Sequence, residues 1–149
     1  MAWLIVVAAA TAGLLAVGFG WEPARPGEVP AAVLAEGKVL YAEHCASCHG
    51  RNLEGEPDWQ TPLASGRLPA PPHDASGHTW HHPDEVLFRI TKHGAAAVVG
   101  DNYESDMPGF EGILTDDEIR AVLAYIKSTW PERERTFQED RTRAWHADQ

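Results

Sequence analysis

In three stretches of the chain, apolar residues recur at intervals of three and four, the period of a helix with one buried face. Over residues 31–45 they are Val33, Leu34, Leu40 and Tyr41, with Gly37 on the same stripe. Glycine weakens a helix, so its place there predicts that another backbone packs closely against it. A second helix is predicted from about Pro83 to His93. Pro83 suits the first helical position, Asp84 and Glu85 the first turn, Lys92 and His93 the last, and Gly94 the C-terminal cap. Val86, Leu87 and Ile90 are its inward-facing residues. The third helix has the sharpest start: Thr115-Asp116-Asp117-Glu118 reads as a capping box, followed by Ile119, Val122, Leu123 and Ile126, with Pro131 as the stop.

The segments between and around these helices are equally distinctive. Residues 2–21 carry no charged side chain, and a helix of that length spans about 30 Å, the thickness of a bilayer core. Trp3 and Trp21 bracket the run as interfacial aromatics would. A basic leader region and a good cleavage site are both missing, so a retained membrane anchor is favoured over a cleaved signal peptide. Pro23, Pro26 and Pro30 then make residues 22–30 a semi-rigid, extended linker. From Gly50 to His82 no clear period is visible, and Pro57, Pro62, Pro69, Pro71 and Pro72 punctuate the stretch. After Pro131 the sequence is mostly charged or polar, with Glu132, Arg133, Glu134 and Arg135 alternating in sign, which predicts a solvated helix or a loose tail over 131–149.

Cys45-Ala46-Ser47-Cys48-His49 contains both cysteines of the chain and follows directly on the first helix. C-x-x-C-H is the attachment pattern for a c-type haem, whose vinyl groups take up the two thiols while the histidine is placed to bind the iron. A thioredoxin-like pair would call for a βαβ context, and a closed structural zinc site for two further ligands such as a second C-x-x-C. No alternating strand pattern surrounds these residues, and no second C-x-x-C pair exists. A disulfide between residues three apart would close almost no loop and stabilise little. A haem also changes the reading of the long irregular stretch, because a loop without periodicity can bury its apolar residues on a porphyrin. The formal charge of −10 argues against nucleic-acid binding and suits docking to a partner with a basic face.

The iron's other face needs a ligand, and the chain has only two methionines, Met1 and Met107. Met107 lies in Asp106-Met107-Pro108-Gly109-Phe110, a turn where a methionine is poorly placed to fill a core. His/Met ligation raises the reduction potential of a c-type haem.

Taken together, Gly37, Tyr41, Cys45 to His49, Met107-Pro108-Gly109-Phe110 and Leu114 to Ile119 resemble the class I cytochrome c family over about residues 31–130. The resemblance implies an all-α cytochrome c fold, three or more helices wrapped around one covalently bound haem c, preceded here by a transmembrane or signal helix. It implies that the first and last helices cross, with Gly37 permitting close contact near Tyr125. It further implies Cys45 and Cys48 as thioether positions, His49 as proximal ligand and Met107 as distal ligand. In the family a proline carbonyl often accepts a hydrogen bond from the proximal histidine. Pro71 and Pro72 are the candidates, with Pro72 taken as the site residue, and His73 stands where leucine is more usual.

His73, His78, His81 and His82 crowd around Trp80. They read as exposed loop histidines, as haem-pocket residues with Trp80 meeting the propionates, or as a second copper or zinc site. The expectation is thus a monohaem electron carrier and not an enzyme. Residues 1–21 would anchor it in a bacterial cell membrane with the haem domain in the periplasm, or be cleaved to leave it soluble there. Its partners would be redox proteins such as a quinol-oxidising complex, a terminal oxidase or a dehydrogenase. The alternatives are a haem enzyme or gas sensor with a displaceable sixth ligand, and a metal-handling protein built on the histidine cluster.

Overall fold

The computed structural model describes residues 28–149, so the apolar run 2–21 and most of the proline-rich linker lie outside it. Six α-helices follow in order: α1 (Ala31–His44), α2 (Ala46–His49), α3 (Asp84–His93), α4 (Ala95–Val99), α5 (Asp116–Ser128) and α6 (Glu132–Ala147). A single 3₁₀ turn, Thr79–His81, interrupts the long loop before α3. Among the described residues there is no strand, only an isolated bridge between Glu111 and Leu114. None of the described helices is long and apolar enough to cross a membrane.

The crossing of α1 over α5 organises the molecule, and Gly37 is the reason it can be so close. A Cβ at position 37 would collide with the carbonyl oxygen of Ala121 and stand 3.1 Å from the Cβ of Tyr125. The predicted close approach is therefore real, and it falls on the turn of α5 that carries Ala121 as well as on Tyr125. The capping box of α5 is formed at both ends: the Glu118 N–H donates to Thr115 Oγ1 at 3.3 Å, and the Thr115 N–H donates to Glu118 Oε2 at 2.7 Å. Ile119, Val122, Leu123 and Ile126 are all buried, as their spacing predicted.

Two apolar clusters result. Tyr41, Leu53, Val122, Ile126 and Trp130 form one, beneath the C-x-x-C-H turn. Leu87, Phe110, Leu114, Ile119 and Leu123 form the other, beneath the Met107 loop. In α3, Leu87 is buried while Val86 and Ile90 are only half-buried. Thr91 is buried in their place and returns its hydroxyl to the Leu87 carbonyl at 2.9 Å.

Two regions differ from the sequence expectation. The charged C-terminal segment is neither loose nor fully solvated. Pro131 ends α5 but starts α6, since its fixed φ suits a helix entrance. The helix then docks through Gln138, which is fully buried and donates to the His82 carbonyl at 3.2 Å and to Asp84 Oδ1 at 2.7 Å. Lys127 of α5 joins the same carboxylate at 2.8 Å. The face that packs is built on a glutamine instead of an apolar stripe, which is why the sequence concealed it.

The loop 50–78 likewise carries its own backbone wiring. Gly55 N–H donates to the His49 carbonyl at 2.8 Å, Glu56 to Ala70 at 2.8 Å, and His73 to Leu53 at 2.8 Å. Leu53, at a left-handed φ of 68°, turns its side chain into the Tyr41–Trp130 cluster. Part of the loop's apolar surface is thus buried on protein and not on a porphyrin.

Candidate haem-attachment site

The C-x-x-C-H residues sit on one nearly continuous helical path. The Cys45 N–H still bonds the Tyr41 carbonyl at 2.9 Å as α1 ends, and α2 resumes at Ala46. Helical spacing therefore holds Cys45, Cys48 and His49 within one turn of each other. Cys45 is half-buried and Cys48 exposed, and both thiols are free. Burial pushes the Cys45 thiol up to about 11. The phenol of Tyr41, one turn earlier, donates to the Gly50 carbonyl at 2.9 Å and lies 3.3 Å from that of His49.

His49 is buried, and its Nδ1 lies 2.8 Å from the Pro71 carbonyl oxygen. A carbonyl only accepts, so Nδ1 carries the proton and Nε2 keeps the lone pair that a metal requires. Burial lowers the pKa of this imidazole, with the Pro71 bond opposing that shift, so neutral His49 is the form the site favours. The carbonyl is that of Pro71 and not of Pro72, the residue favoured from sequence. The Pro72 carbonyl instead accepts the Thr79 hydroxyl at 3.4 Å. Beside them, the His73 N–H is tied to the Leu53 carbonyl at 2.8 Å.

His73 stacks on the His49 ring, centroids 3.9 Å apart and planes 24° from parallel. Its own Nδ1 lies 2.8 Å from Thr79 Oγ1, and its carbonyl accepts the Trp130 indole N–H at 2.7 Å. Burial holds the His73 imidazole neutral, and the neighbouring His49 adds to that effect. Trp130 was missed in the sequence, although its place four residues after Ile126 extends the stripe of α5.

Of the other cluster members, His78 stacks on Trp59 with centroids 5.2 Å apart and meets His82 edge-on at 5.4 Å, while His81 packs edge-on to Trp80 at 3.8 Å. Among the described residues no three His, Cys, Asp or Glu side chains come together as a metal-holding group. Trp80 has protein partners on both its edge and its face. Its indole N–H is engaged by the Ala75 carbonyl at 3.3 Å, and its ring meets Phe137 of α6 at 5.3 Å. The aromatic side chain belongs to the interface that seats the last helix.

Met107 is half-buried, with its N–H on Ser105 Oγ at 3.1 Å. Downstream, the chain is fastened to the end of α3: Phe110 N–H donates to the Thr91 carbonyl at 3.1 Å, and Glu111 N–H to that of Lys92 at 2.9 Å. Gly94, at φ 89°, lets this segment pass close by, since a Cβ there would stand 3.0 Å from the Gly109 nitrogen.

A model of the cytochrome c family matches residues 34–130. The chain belongs to the cytochrome c family. Haem c is the cofactor that this membership carries. The residues present fit that group: two free thiols within one helical turn, an imidazole whose tautomer leaves Nε2 available, and a thioether on a separate loop.

The chain is 36% identical over 127 residues to a cytochrome bc1 complex cytochrome c subunit of Mycobacterium bovis, covering 84% of this chain and 39% of that protein. It is 28% identical over 130 residues to a nitrite reductase of Stutzerimonas stutzeri, covering 83% of this chain and 21% of that protein. It is 27% identical over 94 residues to the cbb3-type cytochrome c oxidase subunit FixP of a Bradyrhizobium strain, covering 63% of this chain and 27% of that protein. The chain thus spans between a fifth and two fifths of these relatives' lengths. No solved structure matches it.

Proposed function

We propose that this domain is a monohaem electron carrier in which Cys45 and Cys48 hold the porphyrin, His49 Nε2 is the proximal ligand and Met107 the distal one. The observation that carries the reading is the His49–Pro71 bond, because it prepares one nitrogen for iron before any cofactor arrives. Haem c supplies a one-electron couple when bound. The protein's part is to attach it, keep both axial positions filled, and exclude water from the proximal side with Tyr41, His73 and Trp130. No residue is required to act as acid or base.

Redox partners of the kind named in two relatives, a bc1 complex and a cbb3 oxidase, are the donors and acceptors this reading favours. The carrier would serve a quinol-oxidising complex, a terminal oxidase or a dehydrogenase. The uncharged run 2–21 and the proline-rich spacer support tethering to a bacterial cell membrane, with the haem domain in the periplasm. An intact mass of the purified protein reports haem attachment and retention of residues 1–21 together.

The decisive test is Met107→Ala. The ferric wild type is expected to show the weak red-end absorption band of a methionine–iron bond, and the variant to lose it, bind carbon monoxide and fall in potential. A wild type that lacks the band and binds carbon monoxide unaided would instead be an open-site haem enzyme or sensor.

A further inference from the structure

The two arms of the loop that carries Met107 are held very differently. The downstream arm is sewn to α3 by the Phe110–Thr91 and Glu111–Lys92 backbone bonds. The upstream arm, residues 100–106, has only local backbone bonds: Gly100 N–H to Ala96, and Tyr103 N–H to Gly100 at 2.8 Å. Among the described residues, its only hydrogen bonds or ion pairs to a distant part of the chain run through one side chain. Arg67, from the proline-rich loop, places Nε 3.4 Å from Glu104 Oε2 and bonds Asp106 Oδ1 through Nη1.

We propose that Arg67 is the latch of the Met107 loop, a positioning residue that holds the upstream arm closed so that the thioether stays on the iron. The proposal rests on Met107 being the distal ligand. Arg67 is suited to the task because its own backbone is held: its carbonyl accepts the Leu63 N–H at 2.9 Å, and the Gly66 N–H closes the same turn onto Leu63 at 2.8 Å. The planar fork of a guanidinium can serve two carboxylates from fixed directions, whereas a lysine ammonium meets them as a single point charge. Asp106 is the residue immediately before Met107, so the pull acts one peptide unit from the ligand.

Exposed ion pairs contribute little to global stability. The latch works on a smaller quantity, the balance between a closed and an open loop. The pairing exists only in the closed state and shifts that balance by its full differential strength. Because Glu104 and Asp106 face solvent and Arg67 is half-exposed, salt should weaken the latch, with the screening length shortening from about 10 Å to about 3 Å between 0.1 M and 1 M ionic strength.

The test uses the haem-loaded full chain in the ferric state, with imidazole as the competing ligand and the red-end band as the readout. At low salt, Arg67→Gln is expected to bind imidazole on the order of 3- to 10-fold more tightly than wild type, with Arg67→Lys recovering part of the difference. Asp106→Asn should shift the affinity in the same direction by less. High salt should move the wild type towards Arg67→Gln and leave the variant nearly unchanged. Equal imidazole affinities in wild type and Arg67→Gln, with the band present in both, would overturn the latch while leaving Met107 ligation standing. A wild type without the band overturns both. If Arg67→Gln does not fold, Asp106→Asn and the wild-type salt titration make the same comparison, and a flat response in both sinks the proposal.

Discussion

On one side of the site, His49 is backed by Tyr41, Pro71, His73 and Trp130, joined to one another through hydrogen bonds and a ring stack and continuous with the α1–α5 core. On the other, Met107 rides a loop sewn down at its far end and tied at its near end by one half-exposed arginine. The first side is part of what makes the chain fold. On the latch proposed above, the second opens at its upstream arm while Phe110 stays in the Leu87–Leu123 cluster. With His49 and Met107 as the proposed ligands, such a domain would hold its haem from the His49 side, and loop contacts would set the strength of the Met107 bond. Perturbations should therefore divide cleanly: proximal changes act on global stability, and distal changes act on the iron's sixth bond.

The largest effect tests the proximal half of that contrast. Trp130→Ala removes a buried ring and leaves the His73 carbonyl without its donor. It should cost about 4 kcal/mol in denaturant unfolding of the haem-loaded protein. A loss below about 1 kcal/mol would mean that Trp130 is not part of the folding core, and the division would fail.

A distal counterpart is Gly94→Ala. Its φ of 89° and its approach to Gly109 make any side chain there strained. The expected cost is roughly 1–2 kcal/mol, accompanied by a weakened red-end band, because the strain lies next to the segment that aims Met107. If the variant keeps the band at full strength, the downstream arm does not position the ligand.

The smallest effect concerns pH and the loop that supplies Pro71. His78 and His82 are held below the ordinary histidine pKa, chiefly by burial and then by neighbouring histidines. The folded state therefore resists protons that the unfolded chain accepts. Their contribution to stability is fully present above the unfolded value of about 6.5 and is lost as pH falls below it. Urea midpoints should decline on moving from about pH 7.5 to about pH 5.5, and His78→Gln should flatten that decline. A midpoint that rises on acidification would show that these side chains find carboxylate partners.

Much of this was legible without coordinates, for a physical reason. Cys45, Cys48 and His49 announce themselves because attachment chemistry dictates both residue type and spacing. The Thr115–Glu118 box and the Ile119–Ile126 stripe announce α5 because capping and burial are local in sequence. Gly37 signalled a close helix crossing because glycine in a helix needs a reason. The failures share a cause too. Pro71 and Pro72 are chemically identical acceptors, and only the folded loop places the first on His49 and the second on Thr79. The contacts of Trp80 with the Ala75 carbonyl and the Phe137 ring were not legible either. The charged tail concealed α6 because its anchor, Gln138, is polar and becomes an interior residue only when His82 and Asp84 are brought to it.

What the sequence determined by itself is the cofactor chemistry, helices α1, α3 and α5, and the order in which the candidate ligands occur, all consequences of contacts within a few residues. What only the tertiary structure decided is which carbonyl orients His49, which aromatic rings back it, and that Arg67 reaches across to the Met107 loop. Those depend on residues that meet across separations of 22, 57 and 39 positions. No local pattern encodes such meetings, because they arise when the folded backbone brings distant polar groups within bonding distance.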